Sequence, residues 1–272
     1  LSLRIDEALQ YEIGIAYAYN YLGATYQELG DYTKALENFQ AALEIRLRLG
    51  LDAGIAAGYN NIGTIYADEG KFAEALENYK ASLAIKEKID DRYGMANTYI
   101  NIGDVYHKQG DQQEAMKYFS LALKLQKDLE DQEGMAATYI AMAASRIATK
   151  QYAEASSLLT KVVSISKEIG SLYYLRDGYA TFAHLDSITG NHKQGLEHYK
   201  LYVAARDSIT NEENTRKLVE TQMQYDFDKK ESLAKAEQDQ KDFLAQKAMQ
   251  KQKMVRNGFM GGFAVVLLFA NI

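Results

Sequence analysis

The sequence predicts an all-α fold, with helical hairpins stacked side by side as a solenoid and one long C-terminal helix after them. Three observations predict it. Tyr19, Tyr59, Tyr99, Tyr139 and Tyr179 stand 40 residues apart, and several other registers keep the same step. The 272 residues contain no Pro, where average usage of about 5% would give roughly 14. Pro costs about 3 kcal/mol inside a helix, so its absence favours long unbroken ones. Within each unit, apolar residues recur at helical spacing.

Residues 1–10 open the chain with Leu3, Ile5 and Leu9 in the registers of Leu43, Ile45 and Leu49. They are expected to be the second helix of a preceding, truncated repeat. Five repeats then fill 11–212, at about 11–52, 53–92, 93–132, 133–172 and 173–212. In the second, Tyr59, Ile62, Gly63 and Tyr66 make the stripe of a first helix. Gly70 ends that helix, where a left-handed residue is needed. Phe72, Ala75, Leu76, Tyr79, Leu83 and Ile85 make the stripe of a second. Gly63 and Ala75 are small where the paired helices must approach closely. Asp31, Asp111 and Asn191 follow turn glycines and are expected as N-caps. The large apolar register Phe39, Tyr79, Phe119, Leu159 and Tyr199, and the register Leu22, Ile62, Ile102, Met142 and Phe182, are expected to be inward-facing. No single hairpin can bury its own stripe, so neighbours must stack.

Tyr59, Ile62, Gly63, Tyr66, Ala75, Tyr79 and Ser82 together resemble the tetratricopeptide repeat. The same pattern stands at Tyr19, Leu22, Gly23, Tyr26, Ala35, Phe39 and Ala42. It recurs at Tyr99, Ile102, Gly103, Tyr106, Ala115, Phe119 and Ala122. The resemblance covers about 11–212 and implies a right-handed superhelix whose first helices line a concave groove. Two features depart from the family. The period is 40 rather than the usual 34, and the usual proline near the repeat end is missing. Repeats four and five drift, with Met142, Ala143 and Arg146 in the first-helix pattern and Asp186 at the last Tyr position.

Residues 213–256 read as a charged helical linker; 211–256 hold 10 Lys/Arg and 9 Asp/Glu and no Gly. Leu233, Leu244 and Val255 are 11 apart, a period compatible with a coiled coil. A homodimer through this segment and a lone connecting helix both remain open. The stretch 258–272 carries no charge, and Lys247, Lys251, Lys253 and Arg256 precede it. Residues 257–272 are therefore expected to be the start of a truncated transmembrane helix, the alternative being a hydrophobic docking segment. Such a basic flank favours the cytoplasmic side.

Composition narrows the chemistry. A net charge of -6 argues against nucleic acid as a partner. No Cys means no disulfide, thiolate metal site or Cys nucleophile. There is no HExxH, no phosphate-cradling glycine loop and no GxSxG elbow. His107, His184, His192 and His198 form no ligand pair and are expected as surface or groove histidines. No catalytic residue, metal or cofactor is expected in this stretch, and it is not expected to be an enzyme by itself. The resemblance instead places a protein or peptide segment in the groove, lined by Tyr17, Asn20, Gln27, Asn60, Thr64, Asp68, Asn97, Asn101, Asp104, His107 and Lys108, with Ala24 among them. Asn suits an extended backbone because one side chain offers donors and an acceptor. The competing reading has Asn60, Asn61 and Asn101 bonded to neighbouring helix ends or loops. The fourth repeat's first helix is apolar nearly all round, which reflects helix packing or a partner site at Ile140, Ala144 and Ile147. Repeats that clamp acidic chaperone tails carry Lys and Arg where Asn97 and Asn101 stand, so co-chaperone function is not expected.

The order of solenoid, charged helix and apolar run, with Asn211-Glu212-Glu213-Asn214-Thr215, 224–231 and Val255-Arg256-Asn257-Gly258, resembles repeat-bearing membrane signalling proteins of Bacteroidetes-type bacteria. That resemblance implies a sensor or interaction region anchored in the bacterial inner membrane, with an adenylate/guanylate cyclase, histidine kinase or transcription-regulator output beyond it. It also implies periplasmic repeats, against the cytoplasmic side favoured by the basic flank. The alternative is a membrane-tethered scaffold that assembles proteins without transmitting a signal.

Overall fold

A computed structural model describes the backbone of residues 2–269 and the side chains of 11–212 with part of 214–249. Among the described residues ten helices follow one another: α1 Ser2–Glu28, α2 Tyr32–Leu49, α3 Asp52–Asp68, α4 Phe72–Lys88, α5 Arg92–Gln109, α6 Gln112–Asp128, α7 Gln132–Ala148, α8 Tyr152–Ile169, α9 Leu172–Ile188 and α10 His192–Phe269. There is no strand among the described residues. The chain divides into two units, Leu1–Ile209 and Thr210–Ile272.

In the first unit the helices pair as consecutive hairpins, and each hairpin packs on the next. The odd-numbered helices also meet one another, α3 with α5, α5 with α7 and α7 with α9. Among the described residues the even-numbered helices do not approach each other in this way. The odd row is therefore the inner, concave one.

The turns follow from backbone chemistry. Gly30, Gly70, Gly110 and Gly190 all take positive φ, and Lys150 holds the same left-handed conformation at φ 61° in their register. Asp31 and Asp111 accept from the backbone N–H groups of Lys34 and Glu114, as expected of N-caps. Asn191 behaves differently: its amide donates to Thr189 Oγ1. Asp91 and Asp131 cap the inner helices α5 and α7.

Close approach within hairpins depends on glycine. A Cβ on Gly103 would lie 2.5 Å from the Phe119 ring, and one on Gly63 would lie 2.9 Å from Tyr79. Phe39, Tyr79, Phe119 and Leu159 are buried, as are Ala35, Ala75, Ala115 and Ala155. Core clusters then bridge hairpins, one joining Phe39 and Leu43 to Ile55, Ile62 and Ile65. Two expected inward-facing residues are not covered. Leu22 is 48% exposed and Tyr199 52%. Their registers are buried by an adjoining hairpin, and among the described residues none stands outside α1 or α10.

His198 also differs from its expected surface or groove position. Its ring stacks on Phe182 at 4.6 Å, and its Nδ1 lies 2.6 Å from Asp186 Oδ2 with both side chains largely buried. Asp186 occupies the register of Tyr106 and His198 that of Tyr118, a pair that stacks at 5.5 Å two hairpins earlier.

In the second unit α10 continues, and the described side chains of 214–249 are exposed. The readings of 1–10 as a repeat remnant, of 233–255 as a coiled-coil seam and of 257–272 as membrane entry fall outside the described side chains. Among the described residues no helix is long and apolar enough to cross a membrane.

Candidate functional site

The inner row carries a hydrogen-bonded ladder. Asn61 Nδ2 donates to Asn20 Oδ1 at 3.1 Å, and Asn101 Nδ2 donates to Asn60 Oδ1 at 3.1 Å. Both steps span 41 residues, one hairpin plus one position. The Asn side chains therefore bond to each other across repeats, and not to helix ends or loops. Arg46 Nη1 also donates to Asn20 Oδ1, and Thr98 Oγ1 to Asn60 Oδ1. The Nδ2 groups of Asn20 and Asn60 and the Oδ1 atoms of Asn61 and Asn101 have no protein partner among the described residues. Each rung thus keeps a donor and an acceptor for something else.

A second polar line runs one to two helical turns further along. Gln27 Nε2 donates to Asp68 Oδ2 at 3.1 Å, and Lys108 Nζ lies 3.9 Å from Asp68 Oδ1. Tyr79 Oη donates to Thr64 Oγ1 at 3.1 Å. Burial pushes the Tyr79 hydroxyl up to about 12, and Asp68 and Asp104 nearby push the same way. Burial lifts the Asp104 carboxyl to about 6, opposed by His107 and Lys108. His107 Nδ1 lies 2.8 Å from Gln112 Oε1, which also accepts from Ser145 Oγ at 2.6 Å.

The other expected residues are placed less uniformly. Tyr17 is exposed beside Arg46, 5.8 Å from its ring, at a separate pocket of about 400 Å³ that includes Gly54. Asn97 is exposed and makes no hydrogen bond among the described residues. Ile140 is partly buried and packs against the third core cluster with Phe119 and Met142, and it does not line the concavity described next. Ile147 packs in the same way against the fourth core cluster with Ala143 and Leu159, but its other side, with Ala144, faces open space. With His107, Ala148, Ala180, Thr181 and His184 they line a concavity of about 530 Å³ on α5, α7 and α9.

Sequence reasoning missed a buried polar series on the even helices. Arg46, Lys86, Gln126 and Ser166 stand 40 apart and are 6%, 7%, 0% and 0% exposed. Arg46 Nη1 donates to Gly54 O, and Lys86 Nζ donates to Gly94 O and Thr98 Oγ1. Burial holds both cations below their usual range, with Asp91 partly offsetting this at Lys86. Gln126 Oε1 accepts from Thr138, while its Nε2 is buried without a partner. The signal was available: Gly54, Gly94 and Gly134 follow these residues by eight positions and leave room for them. Among the described residues no three His, Cys, Asp or Glu stand together as a metal site.

Residues 14–88 and, in an overlapping match, 54–128 match the family described as tetratricopeptide repeat. The hairpins of this segment are therefore similar to tetratricopeptide repeats. No curated protein matches the chain. Among solved structures, BtubC (BKLC) from P. vanneervenii is similar with a TM-score of 0.59 at 15% identity, over 75% of this chain and 90% of that one. Aspartyl phosphate phosphatase F from Bacillus subtilis is similar at 0.59 and 14%, over 72% and 60%. A Rap protein complexed with competence and sporulation factor is similar at 0.59 and 15%, over 76% and 68%. At these identities the likeness is one of fold.

Proposed function

We propose that the concave face of these repeats holds an extended protein or peptide segment, as the sensor or interaction region of a membrane-anchored bacterial signalling protein. The observation that carries the binding half is the asparagine ladder. Its fixed amides keep one donor and one acceptor per rung, the complement of an extended backbone. One similar fold, the Rap protein, is seen with competence and sporulation factor bound. The signalling half is supported by the order of segments and the linker resemblance. In that reading an output domain, a nucleotide cyclase or a histidine kinase, lies outside these residues. Occupancy of the groove biases the solenoid's curvature, and the charged helix carries the bias onward.

A phage-displayed random heptapeptide library, selected on the immobilised chain, tests the binding half. The Asn60→Ala/Asn101→Ala variant should bind the selected peptides about tenfold more weakly, the loss of roughly two neutral hydrogen bonds. Undiminished binding by the folded variant would remove the groove reading. For the signalling half, a flexible Gly-rich insert near Ala236 of the full-length protein should uncouple output activity from ligand. A response that survives the insert would end the relay idea.

A further inference from the structure

The inner row changes chemistry along its length. Repeats one to three present Asn20, Asn60, Asn101, Thr64, Asp68 and Asp104, whereas repeats four and five present Ala144, Ile147, Ala148 and Ala180, with Thr181 and His184 beside them, around the 530 Å³ concavity. Asp104 stands at the join. It shares the register of Ala144, one hairpin earlier, and precedes His107 of the concavity by three residues. Its carboxylate is half-buried and has no hydrogen bond or ion pair among the described residues. The neighbouring cation is engaged elsewhere, since Lys108 faces Asp68 at 3.9 Å. His107 Nδ1 is occupied by Gln112.

We propose that the bound segment places an apolar side chain in the concavity between α5, α7 and α9, and a lysine or arginine on Asp104, two residues apart in its sequence. This deepens the groove reading and rests on it. Neighbouring packed helices run about 8–10 Å apart. In an extended chain, side chains two positions apart share a face and sit roughly 7 Å from each other. Residues i and i+2 of a ligand therefore span the step from α7 to α5.

The charge pattern selects the sign. A ligand lying over Asp104 strips its remaining water, and a carboxylate desolvated without a partner is costly. A ligand cation replaces that cost with a charge-assisted bond. A ligand carboxylate would meet both Asp104 and Asp68. Discrimination thus comes from the penalty on the wrong ligand as much as from the bond to the right one. The lifted Asp104 carboxyl, at about 6, agrees with a group already short of solvent.

The same heptapeptide selection, read by sequence, tests this. Enriched peptides should carry Lys or Arg two positions from Leu, Ile, Val, Met or Phe. Synthetic copies labelled with fluorescein should lose at least about tenfold in affinity on Asp104→Asn. Ile147→Asp should weaken the same copies, and both variants should keep the far-UV dichroism and melting cooperativity of the parent chain. Enriched peptides that lack a basic residue, or that bind Asp104→Asn undiminished, overturn this inference and leave the groove reading standing. Failure to enrich any peptide overturns both.

Discussion

The first three hairpins and the last two solve one packing problem with different residues. In the first three a glycine faces a large aromatic ring: Gly23 with Phe39, Gly63 with Tyr79 and Gly103 with Phe119. In the fourth, Ala143 stands in the glycine register and Leu159 in the ring register, and both are fully buried. A methyl is added on one helix and bulk removed from the other, so the helices still meet. The tyrosine pair Tyr106–Tyr118 likewise gives way in the fifth hairpin to Asp186 and His198, which meet through a hydrogen bond between Oδ2 and Nδ1 and not ring on ring. The hairpin geometry therefore depends on summed volume and satisfied polarity at paired registers, and not on one residue pattern. The family match, which ends at residue 128, follows the pattern; the fold continues past it.

The comparison is broken most directly by moving one solution into the other hairpin. Gly103→Ala places a Cβ 2.5 Å from Phe119, a ring with no exposure. Overpacking of this kind costs about 1–3 kcal/mol, more than the roughly 1 kcal/mol that Ala gains over Gly in a helix. Net destabilisation of up to about 2 kcal/mol is expected. Adding Phe119→Leu should recover part of it, because it recreates the Ala143–Leu159 pair. Urea denaturation of both single variants and the double gives the coupling directly. Losses that simply add would mean that the two registers are not a matched pair.

The hairpins were legible because their signals are local. The turn glycines and the small–large registers fall within one or two turns of each other or recur at a fixed step, so Gly63, Gly70 and Tyr79 announce both helices and their contact. The groove was legible as a row of positions but not as a set of bonds. Asn60 has its partner at Asn101, 41 residues away, and nothing in the local sequence separates that bond from a helix-end contact. The Asp186–His198 pair was missed for the same reason: Asp at a Tyr register read as drift, since its partner lies across the hairpin on α10. Ile140 stayed open between helix packing and a partner site because an apolar residue on an inner helix has the same pattern whether it packs into the core or faces open space.

A smaller effect sharpens the contrast between the polar and apolar halves of the inner row. The Asp104 carboxyl is raised by burial to about 6, against the pull of His107 and Lys108 on its own helix, with Asp68 on α3 and Tyr79 on α4 nearby. An unfolded Asp ionises near its ordinary value of 3.8. Between these two values the folded chain binds more protons than the unfolded one, so stability falls as pH rises. Below about 4 the penalty is absent, and above about 6 it is fully present. The two-unit shift corresponds to roughly 3 kcal/mol. Contact of the half-buried carboxylate with solvent cuts this to about 1 kcal/mol. Asp104→Asn should therefore leave the urea midpoint unchanged at pH 4 and raise it at pH 7. The equivalent position in the apolar half is Ala144, which has no charge to titrate. Stability profiles of parent and variant that run parallel from pH 4 to 7 would place the Asp104 carboxylate in ordinary solvent and remove its claim on a ligand cation.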